Sequence, residues 1–305
     1  MHKPILILVT MTLLQTLTAQ HSDAVTSELV LLNVKSGKEK VILTEERHFE
    51  APNWSRDGHF LIINSGGLLE KIAVNGKKEG VIDTGFADNC NNDHGFSFDG
   101  RWLVVSHNDP RVNSQGGNSR IFMLPAGGGL PRLVTQGYPS YWHGISPDNQ
   151  WVVYCAMRNG AWDVWKAHTI RDEEVRLTDS EGLDDGPEFS YDGRWIYFNS
   201  NRSGRMHIYR MRPDGSEQEQ LTSDEYDNWF PHPGPDNRSV VYISYLEDQR
   251  GEHPFGKDVK IRLLDVDSGE CRDLTPVFYG GQGSLNVHSW SPDGRQIAYV
   301  RYRRR

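Results

Sequence analysis

Short runs of apolar residues recur along the chain, and polar turns separate them. The clearest runs are "RWLVVS", "QWVVYCA", "RWIYFNS", "SVVYISY" and "RQIAYV". They are dense in β-branched and aromatic residues, which favour strands. Each follows an Asp-Gly or Asp-Asn pair, which is typical of a tight turn between two strands. Long apolar patterns with helical spacing are absent, so the chain is predicted to be an all-β protein built from hairpins.

The hairpin pattern occurs six times in the sequence. The turn aspartates are Asp57, Asp99, Asp148, Asp192, Asp236 and Asp293, at spacings of 42, 49, 44, 44 and 57 residues. A period in the forties with β character indicates a propeller blade. After each turn we predict a second strand, then a third such as "HIYRMRPDG", and a fourth that ends at "LT" or "VT". Each unit therefore reads as four antiparallel strands.

The two ends of the chain complete each other. The N-terminal segments "ELVLLNVKSG" and "KVILT" resemble third and fourth strands, whereas the C-terminal "SWSPDGRQIAYVRY" supplies only a first and a second. Joined, they make one blade. We therefore predict a six-bladed β-propeller whose last blade is closed by the N- and C-terminal strands, which removes free sheet edges.

The phrase "WSPDGRQIAYV", the "LT" endings and the split last blade resemble the TolB-like six-bladed propellers, whose blades are similar to WD40 repeats. The resemblance covers the chain after its first residues and implies a propeller that binds a partner. Few residues precede the first predicted strand, so the resemblance is to the propeller alone, without the N-terminal α/β domain of TolB. Related blades accompany peptidase domains, but no G-x-S-x-G nucleophile motif is present here.

The first residues have the layout of a signal peptide. A basic residue, Lys3, precedes an apolar run that is too short to span a bilayer and leads to Ala19. We expect residues 1–19 to be a signal peptide, residues 20–305 to be a single propeller domain, and the mature protein to be periplasmic or secreted. No later apolar run is long enough to cross a membrane.

Charge and cysteine usage exclude some classes of function. A net charge of −8 argues against binding nucleic acid. The basic end "RYRRR" is interpreted as a solvated, frayed terminus. An odd number of cysteines, three, indicates no disulfide framework, and Cys155 lies in an apolar run typical of a core. A monomer is the simplest expectation.

One register along the repeat suggests chemistry. In a propeller the first strand of each blade lines the central channel, and the loop before it opens at one mouth. Five residues before each turn aspartate stand, in order, Pro52, His94, His143, Pro187, Pro231 and His288. The three histidines are candidate ligands for a zinc or manganese ion. A polar channel that binds no metal is the alternative, and no metal or other cofactor is assigned with certainty.

The neighbouring positions supply candidate ligand-binding residues. Tyr141, Trp142 and Trp229 lie in or beside mouth loops, where aromatic faces stack on sugars or on peptides. Asp185, Glu188 and His232 lie near the same level and can form hydrogen bonds with a ligand. The long segment 246–260 is interpreted either as a solvated hairpin or as a lid over the mouth.

These observations favour an exported propeller that binds an envelope protein or a glycan at its mouth, with no catalytic residues assigned. The alternative is a metal-dependent saccharide lyase or hydrolase that uses the channel histidines. It follows a resemblance to the oligogalacturonate lyase propeller, which holds a metal with channel histidines. A passive scaffold that uses the side or the opposite face is the third hypothesis.

Overall fold

The computed structural model describes residues 25–112 and 117–304, so the predicted signal peptide lies outside the described residues. The described residues form 24 strands. In chain order these are β1 (Val25–Asn33), β2 (Glu39–Glu45), β3 (Glu50–Trp54), β4 (Phe60–Ser65), β5 (Leu68–Ala73), β6 (Lys78–Val81), β7 (Cys90–Phe96), β8 (Trp102–Asn108), β9 (Ser119–Pro125), β10 (Arg132–Leu133), β11 (Ser140–Ile145), β12 (Trp151–Arg158), β13 (Ala161–His168), β14 (Glu174–Arg176), β15 (Asp184–Phe189), β16 (Ile196–Ser200), β17 (His207–Met211), β18 (Glu219–Gln220), β19 (Asp227–Pro233), β20 (Ser239–Tyr245), β21 (Phe255–Asp265), β22 (Cys271–Asp273), β23 (Phe278–Gly281) and β24 (Gln296–Arg304).

The strands form six antiparallel sheets, which confirms the six-bladed propeller. Blades 1 to 4 are β3–β6, β7–β10, β11–β14 and β15–β18, and blade 5 is β19–β22 with β23 added to β21. Blade 6 joins the two ends of the chain: β24 pairs with β1, and β1 pairs with β2. Its innermost strand is reduced to a single bridge between Trp290 and Ile297. No described residue belongs to a helix that could cross a membrane.

The second strand of each blade explains why the blades must pack on one another. In β4, β8, β12, β16, β20 and β24 the central residues are buried on both faces, because each sheet lies between two neighbours. The outermost strands are solvated, as in β6, whose residues are all exposed. A lone blade would expose both apolar faces to water, so stability depends on the closed ring.

The recurrent turn has a definite chemistry. In the turn of blade 1, the Ser55 hydroxyl donates to the Asp57 carboxylate at 2.6 Å and accepts the Phe60 N–H at 3.1 Å. The same serine–aspartate bond occurs in blades 2, 3, 4 and 6. The residue after the aspartate has a positive φ in all six turns, and in blade 5 Asn237 adopts it (φ 55) without a glycine.

The "LT" and "VT" endings have a structural role in blades 2 to 5. The hydroxyls of Thr135, Thr178, Thr222 and Thr275 each accept a hydrogen bond from a buried backbone N–H of the third strand, at 2.9–3.1 Å. The third strand is thereby bonded past the end of the short fourth strand. This explains why threonine ends the unit.

The basic end of the chain is ordered, so the expectation of a frayed terminus is wrong. Residues 301–304 continue β24 and pair with residues 25–28 of β1. Arg301 and Arg303 bind the buried carboxylate of Glu28, at 2.6 Å and 2.5 Å. These ion pairs therefore stabilise the pairing of β24 with β1, which closes the ring.

A hydrogen bond or an ion pair that involves an inner side chain connects every neighbouring pair of blades. Asn53 of blade 1 donates to the His288 carbonyl of blade 6 at 2.6 Å and accepts the Phe96 N–H of blade 2 at 3.3 Å. The remaining junctions are Trp142 N–H to Ser106 Oγ (blades 3 and 2), His143 to Asp185 (3 and 4), His232 to Glu188 (5 and 4) and Trp290 Nε1 to the His232 carbonyl (6 and 5).

Candidate functional site: the central channel and its mouth

A β-bulge interrupts the first strand of blades 1 to 5. The pairing register shifts between Glu50 and Asn53, and at the equivalent place in β7, β11, β15 and β19. The residue before the proline has a positive φ in the three blades with proline: Ala51 (φ 54), Gly186 (φ 61) and Phe230 (φ 53). A bulge redirects the side chains beside it. The histidine and proline blades are therefore not equivalent around the channel.

The inner part of the channel holds a carboxylate shared by two imidazoles. Glu188 of blade 4 accepts hydrogen bonds from Nδ1 of His232 at 2.6 Å and from Nδ1 of His288 at 2.5 Å. The Nε2 atom of His232 faces the Leu285 carbonyl at 3.1 Å, and Nε2 of His288 faces the Tyr191 hydroxyl at 3.0 Å. Arg56 donates to that hydroxyl at 3.3 Å.

Donor and acceptor rules assign the protons of this inner cluster. A carboxylate and a carbonyl oxygen only accept hydrogen bonds, so each ring nitrogen of His232 faces an acceptor. Although burial alone would raise it, the two imidazoles lower the pKa of Glu188 to about 2. Burial lowers the pKa of His288, which fits a neutral ring that accepts the Tyr191 proton. The cluster is satisfied internally and holds three blades together.

Nearer the mouth lies a second cluster, in which Glu50, Asp93, Asp185, His143 and Tyr141 interact electrostatically. His143 Nε2 lies 3.2 Å from an Asp185 oxygen, and its ring stacks on Phe230. We call these five residues the mouth cluster. Asp93 and Asp185 are only 4% and 7% exposed.

The carboxyl groups of the mouth cluster differ in protonation. Burial raises the pKa of Glu50 to about 8 and that of Asp93 to about 7, and neighbouring carboxylates add to both effects. Asp185 is also buried, but its hydrogen bond with His143 lowers its pKa to about 2. Burial opposes charge on His143, yet Asp93 and Asp185 raise the pKa of that imidazole. Shifted pKa values of this kind are typical of functional sites.

The segment between β20 and β21 reaches the same mouth. His253 packs edge-on against Trp229 and Phe230, and its Nε2 lies 3.8 Å from an Asp185 oxygen. The Gln249 N–H donates to the Asp227 carboxylate at 2.6 Å. Residues 255–260 of this segment belong to β21, and residues 255–259 pair there with β23. His253 therefore borders the mouth cluster from blade 5.

The six predicted ligand-binding residues occupy three environments. Tyr141 and Asp185 belong to the mouth cluster, whereas Glu188 and His232 are bonded to each other deeper in the channel. Trp142 and Trp229 are 2% and 0% exposed and pack in the apolar cores between blades. Both tryptophans therefore serve packing, and ligand binding at the predicted positions remains a prediction.

The three predicted metal-ligating histidines have separate surroundings. His143 faces Asp185, His288 faces Glu188 and Tyr191, and His94 is fully buried without a hydrogen-bond partner for either ring nitrogen. Within residues 25–112 and 117–304, no group of three or more His, Cys, Asp or Glu side chains could hold a metal ion. The zinc or manganese site at these histidines stays a prediction, and we assign it no chemistry.

Glu50 and His253 were not among the predicted site residues. A repeat signal could have found Glu50, because it stands seven residues before its turn aspartate, as Tyr141 and Asp185 do. No periodic signal marks His253, which comes from an insertion peculiar to blade 5. Its position depends on a fold of that segment that no other blade shares.

Residues 143–304 match a family model described as the TolB beta propeller domain. An uncharacterised protein of Agrobacterium fabrum is 44% identical over 277 residues, which cover 90% of this chain and 92% of that protein.

Two solved structures of proteins described as TolB or candidate TolB are also similar to this chain. One from Agrobacterium tumefaciens, described as a candidate TolB, has a TM-score of 0.85 at 44% identity and covers 92% of this chain and 99% of its own. TolB from Acinetobacter baumannii has a TM-score of 0.62 at 17% identity, and the match covers 87% of this chain but 65% of that one. The second likeness shows the fold alone.

Proposed function

Because the chain belongs to the TolB β-propeller family, we propose that it is an exported protein that binds a segment of a partner protein at its channel mouth. One observation carries the proposal. Side chains from blades 1 to 4 form a polar cluster in which burial raises the pKa values of Glu50 and Asp93, whereas the inner cluster is bonded internally. A rigid ring with a polar mouth suits capture of an extended segment.

The predicted signal peptide supports export, although those residues lie outside the described part of the chain. A periplasmic or secreted location gives the mouth access to envelope proteins. The three cysteines are free, so the fold needs no oxidising compartment and its location rests on the targeting segment.

Photo-crosslinking by position tests the location of binding. A photoreactive phenylalanine would replace the exposed residues Gln136 or Glu181 in mouth loops, and Leu130 or Ile170 as controls. Leu130 and Ile170 are 82% and 83% exposed in turns between third and fourth strands, which lie at the opposite end of the propeller.

We expect protein adducts in intact cells from the mouth positions and none from the controls. Equal adducts from both faces, or none from the mouth, would contradict the proposal. Adducts with polysaccharide would transfer the function to glycan binding. A peptide array probed with the purified chain then identifies the segment, with Tyr141→Ala expected to weaken binding and Leu130→Ala to leave it unchanged.

A further inference from the structure

The turns between the first and second strands form the end of the channel opposite the mouth. The residues directly before the six turn aspartates are Arg56, Phe98, Pro147, Tyr191, Pro235 and Pro292. The three prolines lie beside the turn glycine of the next blade, as Pro147 does beside Gly193. The three longer side chains extend further from their turns, and we call Arg56, Phe98 and Tyr191 the plug residues.

The plug residues meet although their blades are not all neighbours. Arg56 Nη1 of blade 1 donates to the Tyr191 hydroxyl of blade 4 at 3.3 Å. The Phe98 ring of blade 2 packs edge-on against the Tyr191 ring, with the ring centroids 5.0 Å apart. Blades 1 and 4 are opposite each other in a six-membered ring, and blade 3 separates blades 2 and 4. Side chains of such blades can meet only across the central channel, so the plug residues lie in the channel.

Several blades fix the positions of the plug residues. Arg56 also donates to two backbone carbonyls of blade 2, at 3.0 Å and 3.1 Å, and its guanidinium carbon lies 4.9 Å from the centre of the Phe98 ring. The Tyr191 hydroxyl faces Nε2 of His288, which belongs to blade 6, at 3.0 Å. Blades 1, 2, 4 and 6 therefore hold this end of the channel together.

The contacts between the plug residues leave no passage of strand width between them. An extended chain needs at least about 5 Å to its neighbour on each side, which is the spacing of strands in a sheet. The edge-on rings of Phe98 and Tyr191 are already in contact, and the guanidinium of Arg56 lies over both rings. Beyond them, the inner cluster around Glu188 adds a second layer of bonded side chains across the channel.

From these contacts across the channel we infer that Arg56, Phe98 and Tyr191 close its turn end, so that the mouth is the entrance to a blind pocket. The inference rests on the proposed function and adds the form of the ligand. The partner segment is not threaded through the ring. It enters and leaves by the mouth, as a chain end or the tip of a loop does.

Carboethoxylation of histidines by diethyl pyrocarbonate tests the closure without a partner. The reagent acylates neutral imidazole nitrogens, and peptide mass spectrometry gives the rate at each histidine. His59 is exposed in the turn of blade 1, whereas His288 is 4% exposed and faces the Tyr191 hydroxyl. Rates are measured at pH 7 for the full mature chain, for Tyr191→Ala and for Tyr191→Phe. The phenylalanine variant keeps the ring and removes only the hydroxyl.

In the unchanged chain we expect His288 to react at least about tenfold more slowly than His59, because a buried group reacts only through local opening. Tyr191→Ala should raise the His288 rate at least about tenfold, whereas Tyr191→Phe should leave it low. The ring of His94 is fully buried, so its rate should stay low in every folded variant. If Tyr191→Ala does not fold, Phe98→Ala removes the other ring of the closure and should have the same effect on His288.

Three results would overturn the closure. The first is a His288 rate close to that of His59 in the unchanged chain. The second is an unchanged His288 rate in a folded Tyr191→Ala or Phe98→Ala chain. The third is equal acceleration by Tyr191→Ala and Tyr191→Phe, because the hydrogen bond alone, and not a closed end, would then protect the imidazole.

Photo-crosslinking at the turn end separates this inference from the proposed function. A photoreactive phenylalanine replaces Arg101 or Arg194, which are exposed in the turns that carry Phe98 and Tyr191. We expect partner adducts from the mouth loops and none from these two turns. The same partner crosslinked from the mouth and from the turns would show threading, which overturns the inference and leaves segment binding intact. No adducts from the mouth would overturn the proposed function and the form of the ligand, whereas the histidine rates decide independently whether the channel is closed.

Discussion

The carboxylate of Glu188 accepts a hydrogen bond from Nδ1 of His232 at 2.6 Å, and the two residues belong to different blades. The other Glu188 oxygen accepts from His288 of a third blade. Because all three residues are at most 5% exposed, these hydrogen bonds are shielded from water. These hydrogen bonds connect blades 4, 5 and 6 inside the channel. They hold the side chains at the inner end of the channel in fixed positions.

Removing the charge of Glu188 should destabilise the contact between blades 4, 5 and 6. Glu188→Gln removes the buried carboxylate charge that His232 and His288 share, and breaking a buried pair costs about 3–5 kcal/mol. We expect urea unfolding to show a loss of this size. The matched change Glu181→Gln, at an exposed position, should alter the free energy of unfolding by less than about 0.5 kcal/mol. An unchanged midpoint for Glu188→Gln would show that the cluster does not stabilise the ring.

Acid should destabilise the folded protein by protonating Glu188 and Asp185. The pKa values of Glu188 and Asp185 are lowered to about 2 in the folded state, below the unfolded values near 4. Their contribution is therefore complete above about pH 4.5 and is lost as the pH falls towards 2. Melting temperatures measured from pH 7 to pH 2 should fall in that window. Glu188→Gln should flatten the fall, and an identical profile for the variant would contradict this assignment.

Asp93 of the mouth cluster should have the opposite effect on the pH dependence of stability. The folded pKa of Asp93 is raised to about 7, so folding takes up a proton between the unfolded value near 4 and that value. Its ionisation therefore destabilises the fold as the pH rises from about 4 to about 7. Asp93→Asn should remove part of this decline in a denaturation series across that range. A steeper decline in the variant would exclude a raised pKa for Asp93.

The repeat threonine offers a test of the blade itself. Thr178 Oγ1 accepts the Val164 N–H at 2.9 Å in a buried setting. Thr178→Val keeps the shape and removes the acceptor, which should cost about 1–3 kcal/mol. The control is Thr44→Val on the exposed face of β2, where little change is expected. Equal effects of the two changes in chemical denaturation would contradict a special role for the repeat threonine.

The variant Trp142→Ala tests whether Trp142 serves packing or ligand binding. Its ring lies in the apolar core between blades, so Trp142→Ala should lower the free energy of unfolding by about 3–5 kcal/mol. Any loss of ligand binding by this variant should follow its unfolding curve. Tyr141→Ala, at the neighbouring mouth position, should weaken binding with a smaller change in melting temperature. The reverse pattern would place the tryptophan in the binding site.

The blade count and the hairpins could be predicted because their chemistry is local. Asp57, Asp192 and their equivalents bond within a few residues of the turn, and Asn237 can replace glycine because asparagine tolerates a positive φ. The closure of blade 6 could also be predicted, because the strands missing at the C-terminal end match the extra strands at the N-terminal end.

The partners of the channel residues could not be predicted in this way. Equal spacing from the turn suggested that His94, His143 and His288 meet, yet each has its own surroundings. The basic end was likewise misjudged, because its pairing with Glu28 depends on a strand at the far end of the chain.

By itself, then, the amino-acid order determined the repeat, its turns and the number of blades, since these depend on contacts within a single hairpin. Only the closed tertiary structure decided which carboxyls and imidazoles face one another. Bulges in the first strands redirect those side chains, and their partners belong to blades that lie 40 or more residues away along the chain, as His232 does from Glu188.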